Sequence, residues 1–178
     1  MPDFVAYTDQ HLTTALQRLG KGVYTIVAPL EIAAWRTQEP VPFAQRMAGE
    51  PLQLQIGDAW GELFDAAWFR FTGVIPAQAA GQHVVLLLDV NGEMCVVDES
   101  GAPVRGLTNV ASEFDKSLGM PGKRVLPVSE NAQAGERIEV WADAGCNDLF
   151  GLVQENGVIQ AAWIATCRSD VKALYYDF

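Results

Sequence analysis

Catalysis needs nucleophiles, acids or metal ligands at workable spacings, and this sequence is poor in them. Only two histidines occur, His11 and His83. Hydrolytic zinc sites use three or four ligands, usually with histidine among them. His11 falls in a stretch patterned as an amphipathic helix, and His83 opens an apolar strand. Neither has a carboxylate at a neighbouring ligand spacing. A Ser-His-Asp or Cys-His arrangement would need one of the same two residues. Gly-x-Ser-x-Gly and the phosphate-cradling glycine loops are absent. Cys95, Cys146 and Cys167 are odd in number and widely spaced, with no CxxC. They read as buried thiols of a chain in a reducing, cytoplasmic compartment.

The carboxylates and tryptophans offer more. Asp89, Asn91 and Glu93 are spaced like the start of a calcium loop, but position six needs Gly and holds Met94. Asp89, Glu93, Asp98, Glu139 and Asp143 could supply a pair for glycoside hydrolysis if a fold brought two together. Solvated turns and strand faces explain them more simply. Trp35, Trp60, Trp68, Trp141 and Trp163 could stack on sugar rings, although tryptophan in sandwiches more often fills cores or interfaces. Trp68 and Trp141 each fall on the strand face opposite the aliphatic residues, which makes them the candidate glycan-binding pair.

The elements that must position these residues are mostly strands. His83 to Val90 and Met94 to Val97 are apolar runs separated by Asn91-Gly92. Asn-Gly between apolar runs predicts a hairpin with a type I′ turn, with φ positive at both residues. Gly101 predicts a second reversal, so His83 to Asn109 reads as a β-meander. Ala67 to Ile75 alternates, with Phe69, Phe71 and Ile75 on one face and Trp68, Arg70 and Thr72 on the other. Leu52, Leu54 and Ile56 alternate with glutamines. Further strands are expected at Arg124 to Val128, Arg137 to Ala142 and Val158 to Cys167. Eight or nine strands with turns between them predict a mainly β chain, an antiparallel β-sandwich of jelly-roll or galactose-binding-like type.

Helices are expected at the two ends. Leu12, Ala15, Leu16 and Leu19 form a stripe at helical spacing, with Thr8 or Asp9 as cap and Gly20 as terminator. Ser169 can cap a second helix with the stripe Val171, Leu174, Tyr175 and Phe178. Its apolar face stops in mid-pattern, which suggests a domain of a longer protein. The expected divisions are a helix and proline-containing connector over 1–50, the sandwich over 51–168, and over 169–178 the start of a helix leading onward.

The chain carries 22 acidic and 12 basic residues, a formal net charge of -10. That argues against nucleic acid and anionic membrane as partners. The longest apolar run, Val84 to Leu88, is far too short to span a bilayer. No basic region followed by an apolar stretch marks a signal peptide at the start.

Three segments resemble the non-catalytic N-terminal region of glycoside hydrolase family 38 α-mannosidases, in the cytosolic and bacterial branch. The first is Trp60-Gly61 followed by Trp68-Phe69-Arg70. The second is Asp89, Gly92-Glu93, Val96, Gly101, Pro103 and Gly106-Leu107-Thr108. The third is Cys146-Asn147 followed by Leu149-Phe150-Gly151. The closing Leu174-Tyr175 and Asp177 are similar to the segment leading toward the catalytic domain. Gly145, Asp148 and Met94 depart from the pattern, where Ala, Gly and a small residue are expected.

This resemblance implies a parent enzyme that removes α-linked mannose with retention, using an Asp nucleophile and a divalent metal, usually zinc, held by His and Asp. The catalytic domain of such enzymes opens with a glycine-histidine, histidine-x-aspartate signature that nothing here matches. No catalytic or metal residue is therefore assigned, and no cofactor is expected in this chain. The implied role is architectural, with the parent's own catalytic domain as partner and a homo-oligomeric parent. A carbohydrate-binding module holding mannose-containing glycan is the alternative.

Overall fold

The computed structural model describes residues 4–108, 122–147 and 155–177. A helix α1 (Phe4–Gly22) leads into the strands β1 (Tyr24–Pro29), β2 (Glu31–Thr37), β3 (Glu50–Leu54), β4 (Ala59–Glu62), β5 (Ala66–Val74) and β6 (Val84–Asp89). Then follow β7 (Glu93–Val97), β8 (Pro103–Thr108), β9 (Val125–Ser129), β10 (Arg137–Gly145), β11 (Asn156–Val158), β12 (Ala161–Cys167) and a helix α2 (Ser169–Asp177). Two sheets face each other, with orders β1-β12-β6-β9 and β3-β2-β5-β10-β7-β8, and β11-β4 forms a small ribbon. The pairings are antiparallel. This is the mainly β sandwich that the alternating patterns predict.

The main core lies between the sheets. Phe69 and Phe71 from β5 are fully buried, together with Leu86 and Leu88 from β6 and Ile164 from β12. Each such side chain contributes about 1.5–3 kcal/mol by leaving water. Phe69 stacks on Phe71 at 5.7 Å and meets the edge of Trp60 at 5.2 Å. A smaller core covers the outer face of the four-stranded sheet. There Val85, Val125, Ala165 and Cys167 pack with Val23, Tyr24, Val171 and Tyr175. Both faces of β6 and β12 are thus covered, which explains why β6 reads as one continuous apolar run rather than an alternation.

The ends differ from expectation in detail. α1 starts before Thr8 and Asp9, which therefore lie inside the helix rather than capping it, and it continues through Gly20 to Gly22. Gly20 serves a different purpose: a Cβ there would stand 3.1 Å from the Tyr175 ring, so the small residue lets α1 approach α2. The Ser169 hydroxyl lies 2.9 Å from His83 Nδ1. Leu174 of the predicted stripe is 49% exposed, and Phe178 lies outside the described residues. Strands β1 and β2 belong to the sandwich sheets although they precede the division drawn at residue 51. Prolines 29, 40 and 42 fall at strand ends and in the connection, so they punctuate these strands without preventing them.

The Asn91-Gly92 hairpin is not formed. β6 and β7 belong to different sheets and do not pair, so the segment between them crosses the sandwich. Asn91 has φ 55°, but Gly92 is not in the left-handed region, so the geometry is not type I′. The glycine is needed for space instead, since a Cβ at Gly92 would stand 2.6 Å from the Gly145 carbonyl oxygen. The reversal at Gly101 does join β7 to β8, with φ 85° at the glycine. Val158 to Cys167 is also divided, into β11 and β12.

Candidate functional site

Most of the motif residues with described structure converge on two neighbouring regions, the crossing end of the sandwich and the outer face of its six-stranded sheet. At the crossing end, Trp60 is 1% exposed, and its indole N–H donates to the Val90 carbonyl at 2.7 Å. The paired ribbon strand β11 lies so close that a Cβ on Gly157 would stand 2.3 Å from the Trp60 ring. Gly61 faces Asp65 at 3.1 Å, measured from an added Cβ. Asp89 is buried at 2% exposure, accepts from Arg124 at 2.7 Å and takes the Asn91 backbone N–H at 2.9 Å. The calcium-like spacing is therefore used by an ion pair and a turn. Among the described residues no group of three or more His, Cys, Asp or Glu could hold a metal ion.

Beside the crossing lies a groove of about 570 Å³. Glu93, Gly106, Leu107, Thr108 and Asn147 line it, joined by Asp143 and by Phe64, Asp65 and Lys123. Leu107 is buried and Glu93 exposed. Burial pushes the Asp143 carboxyl above the usual carboxylate range. Glu93 and Asp143 are diagonal neighbours on β7 and β10, since Gly145 pairs with Glu93 and Asp143 with Cys95. They stand side by side on one wall. Glycoside hydrolysis needs its carboxyls on two sides of the scissile bond. The other carboxylates are elsewhere: Asp98 accepts three bonds from Ser100 and Ala102 in its turn, and Glu139 accepts from Trp141 at 3.0 Å.

Phe64 at the groove rim was not singled out by spacing or motif. It is 67% exposed and has φ 73°, a region that bulky side chains rarely enter. Backbone bonds pin it there: the Phe64 N–H donates to the Cys146 carbonyl at 2.7 Å, and Cys146 N–H to the Asp65 carbonyl at 2.9 Å. Asp65 also accepts from the Glu62 backbone at 2.8 Å. No residue-type preference assigns Phe to this conformation; only the tertiary frame does.

On the outer sheet face, antiparallel register sets Trp35 opposite Trp68, and Arg70 opposite Trp141. Trp35 and Trp141 stack at 5.3 Å. Trp68 is not an exposed platform. It is 5% exposed, donates to the Val41 carbonyl at 2.8 Å and lies under the edge of Phe43 at 5.5 Å. The segment between β2 and β3 folds back over this face, a return that the proline-rich sequence did not disclose. Trp141 is half-buried, with the Arg46 guanidinium 4.8 Å from its ring. Phe69 faces the core and Arg70 the outer surface, as the alternation predicts. Phe150 and Gly151 lie outside the described residues.

The family described as alpha-mannosidase, jelly roll domain, matches residues 28–173. Alpha-mannosidase 2C1 of Mus musculus is 28% identical over 120 residues, covering 67% of this chain and 11% of its own length. Alpha-mannosidase 2C1 of Homo sapiens is 28% identical over 124 residues, with the same two shares. The chain thus spans 11% of the length of the curated relatives it matches.

Proposed function

This chain belongs to the alpha-mannosidase jelly-roll domain family, and from that premise we propose that it is the non-catalytic, architectural domain of an α-mannosidase. It packs against the parent's own catalytic domain and helps form subunit contacts in a homo-oligomeric parent. Removal of α-linked mannose, and the divalent metal it uses, belong to residues outside this chain. Three thiols with no CxxC spacing fit a cytoplasmic parent. No helix among the described residues is long and apolar enough to cross a membrane.

The burial of the outer-face tryptophans carries this reading. Trp35 is 9% exposed and Trp68 5%, so the aromatic area that a sugar platform would present is used to fix the fold. The groove with Phe64 at its rim is then the natural seat for protein contact, because exposed aromatics anchor interfaces. Two assays test this. The purified chain should not hydrolyse an aryl α-mannoside with zinc or cobalt added. It should also show no saturable NMR shift with manno-oligosaccharides. Turnover would overturn the non-catalytic role. Saturable shifts lost on Trp141→Ala would replace the architectural reading with a carbohydrate-binding module, the reading that half-buried Trp141 favours.

A further inference from the structure

Three arginines among the described residues meet carboxylates: Arg36 with Glu50, Arg124 with Asp89, and Arg168 with Asp170. The half-buried Arg46 and Arg70 do not, although the chain's net charge is -10. Both Nε atoms are closed off from solvent without a hydrogen-bond partner. A buried donor left unpaired is costly, and native structures keep few of them.

Aromatic rings hold these guanidiniums in place. Arg46 lies 4.1 Å from the Phe43 ring centroid and 4.8 Å from that of Trp141. Arg70 lies 5.8 Å from both Trp35 and Trp141. Both cations therefore border the same indole. A ring face attracts the charge but gives an in-plane N–H no oxygen to bond. Arg46 Nη1 donates to the Phe43 carbonyl at 3.0 Å, while its Nε has no partner. Of the Arg70 nitrogens, Nε alone is both closed off and unpaired, and the residue as a whole is half-buried.

We propose that Arg70, with Arg46 beside it at the Trp141 ring, forms a binding site for a planar carboxylate on the outer face of the six-stranded sheet. The guanidinium fork matches two carboxylate oxygens, and rings that already fix its position reduce the ordering cost. The carboxylate could come from an Asp or Glu side chain on an abutting protein surface or from a sugar acid; both present the same group. The site stands independently of the architectural reading.

The test uses the 15N-labelled chain, reading the Arg Nε–H and Trp141 indole N–H signals during titration with sodium acetate. Sodium chloride at matched ionic strength is the reference. The expected result is a saturable acetate-dependent shift at Arg70, Arg46 and Trp141, with half-saturation in the millimolar range. Arg70→Lys keeps the charge without the fork and should weaken acetate at least tenfold, while Arg46→Gln weakens it less. Comparison of methyl glucuronide with N-acetyl-aspartate amide then separates the two sources, the tighter ligand by tenfold naming the class. Equal shifts with chloride would overturn the site. So would an acetate response unchanged in a folded Arg70→Lys variant.

Discussion

Replacing Trp60 by Phe isolates what the crossing end of the sandwich depends on. The substitution keeps an aromatic ring against Phe69 but removes the pyrrole half of the indole. The Val90 carbonyl then loses a 2.7 Å donor in a region that water does not reach. An orphaned buried acceptor costs about 1–3 kcal/mol. The space left by the missing atoms adds on the order of 1 kcal/mol, because so close-packed a site collapses only in part. Trp60→Phe should therefore destabilise the chain by about 2–4 kcal/mol. In urea, with a slope of about 1–3 kcal/mol/M, that lowers the midpoint by roughly 1 M or more. A double-mutant cycle sharpens the test. Gly157→Ala would place a Cβ 2.3 Å from Trp60 Cε2, an overlap that the smaller ring relieves. The alanine should be at least about 1 kcal/mol less harmful in the Trp60→Phe background than in the native chain. A Trp60→Phe cost under about 0.5 kcal/mol, or strict additivity with Gly157→Ala, would refute the view that the indole wedges the β4–β11 ribbon to the β6–β7 crossing.

Other perturbations probe different parts of the same frame. Gly92→Ala should cost about 1–3 kcal/mol by overpacking against the Gly145 carbonyl at 2.6 Å, read as a lower urea midpoint; a neutral effect would mean the crossing can shift freely. Asp89→Ala leaves Arg124 without its buried partner and should lower stability by about 3 kcal/mol, measured by chemical denaturation against Arg124→Ala and the double variant. Asp143 gives a pH signature. Burial raises its folded carboxyl above the unfolded value, so its contribution is fully present below the unfolded pKa and is lost as pH rises through the folded one. Asp143→Asn should accordingly be more stable than the native chain at pH 7, with the difference vanishing below pH ~4; equal stability at both pH values would contradict this.

The sequence made the strand faces legible because a period of two survives wherever one face is buried and the other is not. β5 is the clear case: Phe69 and Phe71 face the core, and Trp68 and Arg70 face outward. It misled at β6, whose apolar run reflects burial on both faces, with Val171 and Tyr175 of α2 packed on the outer one. A run without alternation carries no information about which strand it pairs with. Asn91-Gly92 then looked like a hairpin, because a sequence does not distinguish a glycine needed for φ > 0 from one needed for close approach. Gly101 was legible as a reversal, with φ 85°, but its close approach to Phe43, where an added Cβ would stand 2.6 Å from the ring, was not. Segment 38–49 hid its role because covering an outer sheet face leaves no periodicity. That return is what buries Trp68 and sets Arg46 on Trp141. Phe64 was invisible because its left-handed backbone is imposed by bonds that tie Phe64 and its neighbour Asp65 to Cys146, far along the chain and against its own preference.

The proposed role of this jelly-roll domain is architectural, in contact with the catalytic part of its parent. Calorimetric titration of the 178-residue chain into the remainder of the parent α-mannosidase tests it directly. Saturable one-to-one binding is expected, weakened at least tenfold by Phe64→Ala and unaffected by mannose. Absence of binding to that remainder, with saturable heat from manno-oligosaccharides instead, would contradict it.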